Sequence, residues 1–181
     1  MDKYEFNIKV EQIKKMVSRG DYETAMKIAD TIDWHRVRNA SLLSMIAEIY
    51  EKNKEYQEAK DILLLAFERA PIGKRLLYKL TDLALKEGSV AEAEAYYREF
   101  CDLAQDDSRQ YLLRYLILKA KKAPLDQLIR ALETYTAVEV DEKWLYELAE
   151  LYHKGGMGDQ CVRTCDKIML LFGLGKYVEK A

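Results

Sequence analysis

The alanines Ala25, Ala59 and Ala93 stand 34 residues apart, and the segments around them align without gaps: GDYETAMKIA, KEYQEAKDIL and GSVAEAEAYY. Two further steps of the same length reach Gln127 and Cys161. The register also stacks Gly20, Lys54, Gly88, Lys122 and Gly156, which read as turns inside each unit. A unit of this length holds one supersecondary element and cannot bury its own apolar face. Such units must stack on their neighbours, so the period points to a one-dimensional array.

Each unit reads as two helices. Residues 36–52 and 74–87 place apolar side chains at helical spacing. Small residues recur where two helices cross closely: Ala47 against Ala59, and Ala149 against Cys161. Asp21 and Asp141 are expected N-caps, and Ser89 with Glu92 reads as a capping box. Pro124 suits the start of a helix, and Pro71 the end of one. No stretch alternates as a strand does. Only eight Gly and two Pro occur in 181 residues, which fits helical pairs joined by short turns.

The 34-residue helix–turn–helix period resembles the tetratricopeptide repeat. In the second unit the resemblance rests on Ile46, Ala47 and Tyr50, then Ala59, Leu63, Ala66 and the closing Pro71. In the third it rests on Leu80, Gly88, Ala93 and Tyr97, and in the fifth on Leu148, Ala149, Tyr152 and Gly156. The resemblance implies five repeats near 6–39, 40–73, 74–107, 108–141 and 142–172. It implies an all-α, right-handed α-solenoid of about ten antiparallel helices, with residues 173–181 starting an eleventh in what is expected to be a longer protein. Much of the tyrosine content follows. Tyr50 and Tyr152 share one packing position, Tyr22 and Tyr56 another, and Tyr97 fills a third.

The fourth unit departs from the pattern. Tyr115 and Gln127 fall where small residues are expected. A one-residue slip after Pro124 would bring Leu128, Leu132 and Tyr135 into phase, so a shifted second helix is expected there.

Nothing in the chain carries a catalytic or cofactor motif. Gly173-Leu-Gly175-Lys176 resembles the tail of a phosphate loop but lacks the earlier Gly and the following Ser or Thr. The three cysteines, Cys101, Cys161 and Cys165, are too few for a disulfide framework and point to a reducing, cytoplasmic setting. Cys161 and Cys165 share a helix face that should be buried, so they read as core thiols and no metal site is expected. The two histidines, His35 and His153, lie in different units and outside any nucleophile motif. The N-terminus is charged where a signal peptide needs an apolar run, and no stretch approaches the length of a membrane span.

The net charge of −2 conceals a segregation. The first helices and their turns hold 20 basic and 12 acidic residues, while the second helices hold 7 basic and 17 acidic. In the tetratricopeptide family the first helices line a concave surface. The resemblance therefore implies a basic groove, with Lys14, Arg75, Tyr78, Lys79, Arg109, Lys119 and Tyr146 as candidate peptide-binding residues. Some family members clamp a C-terminal carboxylate. At those clamp positions this chain has Val10, Lys14, Met45, Arg75 and Lys79, so only the last two match in type.

The expectation is a non-catalytic protein-interaction scaffold whose partner is a protein or peptide segment, acidic in character. A regulatory module of a larger enzyme or signalling protein is the alternative. Nucleic acid is not an expected partner, since the basic face is not strong overall. The exposed ends of the array leave homodimer pairing open.

Overall fold

The structure is a computed structural model and describes residues 1–69 and 73–181. Pro71, expected to close a helix, lies outside the described residues. All regular structure among the described residues is helical. The chain divides into two compact units, Met1–Glu99 and Phe100–Ala181.

The first unit holds α1 (Lys3–Ser18), α2 (Tyr22–Ala29), α3 (Ala40–Lys52), α4 (Tyr56–Arg69), α5 (Lys74–Glu87) and most of α6 (Val90–Leu103). Successive helices from α1 to α5 pack on one another. Its core runs from Ile13 through Ala25, Ala29 and Leu43 to Ile46, Ala59, Leu63, Leu80 and Leu83, all essentially closed to solvent. The alanines of the 34-residue register, Ala25, Ala59 and Ala93, are fully buried. A side chain with no atoms beyond Cβ lets two helix backbones approach at those points. A short 3₁₀ turn, Trp34–Arg36, joins α2 to α3. Its Trp34 is buried, donates from Nε1 to the Ala29 carbonyl at 3.0 Å, and meets Phe6 edge-on.

The second unit holds α7 (Arg109–Ala120), α8 (Leu125–Val138), α9 (Glu142–Lys154), α10 (Gly158–Phe172) and the five-residue α11 (Lys176–Lys180). Helices α7 to α10 pack in sequence order, and α11 rests on both α9 and α10. Its core gathers Leu112, Tyr115, Ile129, Leu132, Tyr135, Leu148, Leu151 and Tyr152.

The turn register holds at all five positions. Gly20, Lys54, Gly88, Lys122 and Gly156 all have positive φ, from 55° to 88°. This is the left-handed residue that closes a helix and frees the chain to reverse. Two of the five are lysines, which adopt the conformation against their own preference.

Asp21 and Asp141 cap their helices as expected, accepting from the Thr24 and Lys143 amides at 3.0 and 3.1 Å. The capping box at Ser89 does not form. The Ser89 amide donates instead to the Ala84 carbonyl, and the Glu92 carboxylate turns to Lys60. The fourth unit is shifted. Gln127 is exposed, whereas Leu132 and Tyr135 are buried and Leu128 is half-buried. Cys161 and Cys165 are half-buried rather than core residues, because α10 is covered on one side only. Among the described residues no cluster of His, Cys, Asp and Glu has the makings of a metal site, and no helix is long and apolar enough to cross a membrane.

Candidate functional site: a basic cleft in the first unit

A hollow of about 1030 Å³ lies between α1, the 31–39 connection and the start of α3. Phe6, Val10, Val37, Leu42 and Met45 give it an apolar wall. Lys3, Lys14, Arg36 and Arg38 supply the positive charge, against Asp2, Glu11 and Asp33. The local chain explains the shape. Asn39 caps α3 through its side chain, accepting from the Leu42 amide at 3.0 Å. Buried Trp34 pins the connection to the end of α2. The arginines that follow it are thereby held at the cleft while their side chains remain in solvent.

The cations differ in availability. Lys14 meets Glu11 at 3.2 Å one turn away, in an exposed pair that contributes little. Arg36 lies 3.4 Å from Asp33 and is 87% exposed, so it is free to leave. Arg38 is exposed and has no ion-pair partner among the described residues. The sequence assigned no role to Arg36 and Arg38. They sit between helices, outside the positions that a repeat pattern tracks.

Of the clamp positions, Val10, Lys14 and Met45 converge on this cleft. Arg75, Tyr78 and Lys79 lie on α5 and are not among its lining residues. Arg75 is exposed without an ion-pair partner among the described residues, and Tyr78 is half-buried. Lys79 is engaged: its Nζ lies 2.5 Å from Glu51 of α3. Lys86 reaches the other Glu51 oxygen at 2.6 Å and Asp82 at 3.1 Å. Burial works to raise the Glu51 carboxyl, but the hydrogen bonds from Lys79 and Lys86 outweigh it and hold the group below the usual carboxylate range. The positive charge expected along α5 is therefore largely neutralised from within.

The remaining candidates lie in the second unit. Arg109 is clamped by Asp107 through Nε at 3.0 Å and a terminal nitrogen at 2.8 Å, over the Phe100 ring. Lys119 meets Glu147 at 3.1 Å and remains half exposed. Tyr146 packs against Tyr177 of α11, with ring centroids 5.4 Å apart. Within the first unit, the structure places Lys14 at the cleft and leaves Arg75, Tyr78 and Lys79 outside its lining, while Lys79 and Arg109 are already paired with neighbours.

No family model matches the chain, and no curated protein matches it in sequence. Solved structures do resemble it. MamA from Desulfovibrio magneticus RS-1 aligns over 91% of this chain and 93% of its own, at 17% identity and a TM-score of 0.68. TTC0263, a tetratricopeptide-repeat protein of Thermus thermophilus, aligns over 96% and 97%, at 15% identity and a TM-score of 0.68. YrrB, a tetratricopeptide-repeat protein with an unusual peptide-binding site, aligns over 96% and 91%, at 17% identity and a TM-score of 0.57. The molecule is an all-α helical-repeat protein. Its fold is that of the tetratricopeptide-repeat proteins.

Proposed function

We infer that the protein is a non-catalytic interaction scaffold that holds an extended, acidic segment of a partner protein in the cleft of its first unit. The observation that carries this reading is the cleft itself. An apolar wall lies beside Lys14, Arg36 and Arg38, whose charges are exposed and weakly engaged. Guanidinium groups grip carboxylates through paired donors, and the apolar wall accepts the intervening side chains. Arg75 offers a further exposed cation within the same unit. In the second unit, Lys119 is the exposed candidate and Arg109 a structural one. YrrB shares the fold and has a peptide-binding site, which supports the same kind of use here. The repeat boundaries near 6–39, 40–73, 74–107, 108–141 and 142–172 belong to this reading, as does a cytoplasmic location.

The test is an array of acidic, neutral and basic peptides probed with the wild-type protein and with the variant carrying Lys14→Glu and Arg38→Glu. Acidic peptides should be retained, more weakly at high salt. The variant should lose about tenfold in affinity. Equal retention of neutral peptides, or unchanged binding by the variant, would overturn the proposal. Arg75→Glu, tested alone, reports whether the bound segment extends toward α5.

A further inference from the structure

The irregular fourth helical pair opens a second, smaller cleft, and its polarity is written into the 34-residue register. Position 134 aligns with Ile32, Ala66, Phe100 and Ile168, all of them buried, yet Thr134 is exposed. Position 127 aligns with the fully buried Ala25, Ala59 and Ala93, yet Gln127 is exposed. Position 114 aligns with the buried Ile46, Leu80 and Leu148, yet Arg114 is exposed.

The cause is Tyr115. It stands where α3 and α9 carry Ala47 and Ala149, and its side chain is fully buried. A ring at a close helix crossing denies α8 the approach that an alanine permits. Helix α8 therefore settles one residue further along, with Leu132 and Tyr135 inward. Gln127, Arg130 and Thr134 then share one stripe of α8, facing Tyr111, Arg114 and Leu118 of α7 across about 260 Å³.

This cleft holds two arginines and no carboxylate. Neither Arg114 nor Arg130 has an ion-pair partner among the described residues. Arg109, five residues before Arg114, is by contrast saturated by Asp107. Two arginines lining a common hollow with no carboxylate attract an anion to it.

We propose that the α7–α8 cleft binds a phosphoryl group through Arg114 and Arg130. Two forked guanidiniums match a tetrahedral dianion in charge and in donor geometry, whereas a carboxylate offers one charge and two oxygens. Gln127 and Tyr111 line the same space and contribute neutral donors. The Thr134 hydroxyl already donates to the Arg130 carbonyl at 2.9 Å and acts only as an acceptor. The volume suits a phosphate monoester and is below the ~300–1,000 Å³ of pockets for drug-sized ligands. The site lies wholly in the second unit, so it stands or falls independently of the cleft in the first.

The full chain, labelled for nuclear magnetic resonance, is titrated with inorganic phosphate, with N-acetyl-phosphoserine amide and with N-acetyl-glutamate amide. Saturable shifts of the Arg114 and Arg130 side-chain Nε–H signals and the Gln127 amide are expected with both phosphates. The glutamate compound should bind about tenfold more weakly. Tighter binding of the phosphoserine compound assigns the site to a phosphorylated protein segment. Equal binding assigns it to small phosphates. Arg114→Gln with Arg130→Gln should abolish the shifts at an unchanged melting temperature. Arg114→Lys with Arg130→Lys, which keeps the charge and the fold, should weaken binding about tenfold. Absence of saturable shifts in the wild type, or their persistence in the glutamine variant, would overturn the proposal.

Discussion

Tyr152 donates its phenol hydrogen to Glu133 at 2.7 Å, 19 residues back along the chain, and Tyr50 does the same to Asp30 at 2.7 Å, 20 residues back. The two tyrosines are equivalent in the 34-residue register. The one-residue difference in reach is the slip of α8 measured by a hydrogen bond. Each bond ties the second helix of one pair, or the residue that ends it, to the first helix of the next. Tyr152→Phe and Tyr50→Phe should each cost about 1 kcal/mol, since each removes a bond to a charged acceptor without opening a cavity. Thermal melts check this, and a loss below the noise for both would show the bonds to be incidental.

These bonds, and the one Tyr115 donates to Glu147, also set an alkaline limit. Burial, then the neighbouring carboxylate, raises the phenol pKa of Tyr50, Tyr115 and Tyr152 above the ordinary 10.0. The neutral phenol is favoured in the folded chain. Stability is therefore full below about pH 10 and is lost as pH rises from there toward the raised values, because the unfolded chain gives up its protons first. A denaturation series from pH 8 to 11, run beside the Tyr152→Phe variant, should show a shallower alkaline loss in the variant.

Glu51 contributes to the acid limb. Its lowered carboxyl contributes stability above the ordinary 4.5, and that contribution disappears as pH falls through the lowered value. Glu51→Gln should flatten this limb. The same change releases Lys79 and Lys86 from Glu51 and leaves the pair with Asp82, so acidic peptides should bind the variant more tightly. Peptide affinity measured at two salt concentrations tests that second consequence.

Lys60 is the one fully charged residue buried in the first unit's core region among the described residues, 3% exposed and held by Glu87 at 2.5 Å and Glu92 at 2.7 Å. Burial pulls its ammonium down, and the two carboxylates more than reverse this. Lys60→Ala should destabilise by about 2 kcal/mol, less than a wholly buried pair would, because both carboxylates remain partly in water. Chemical denaturation reads the difference.

The turn residues offer a backbone test free of packing. A Cβ at Gly88 would meet nothing within 4 Å, so Gly88→Ala reports its φ of +88° alone and should cost about 1 kcal/mol. Lys54→Gly and Lys122→Gly relieve strain of the same kind and should each gain about 0.5 kcal/mol after the added freedom of the unfolded chain is counted. Opposite signs in the two experiments are the expected result.

The helical pairs and their turns were legible in the sequence because Ala25, Ala59 and Ala93 mark the closest helix crossings, where only small side chains fit. The slip of α8 was legible too, from Tyr115 and Gln127 standing at such positions. The groove was not. A repeat register says which face a lysine occupies, but not that Glu51 of one helix has captured Lys79 and Lys86 of another. It also passes over the connections, so Arg36 and Arg38 went unassigned although they line the first unit's cleft. The capping box at Ser89 failed for a related reason: a turn hydrogen bond took its amide, and a distant lysine took its glutamate.

Within each unit, the packed helix pairs are mostly neighbours along the chain, and α11 packs on α9 as well as α10. Chain closure in such a molecule costs little entropy at any step, so folding should be fast for its size and able to start at more than one place. Terminal helices can open while the interior stays intact. Hydrogen exchange should therefore report a gradient of opening energies within each unit.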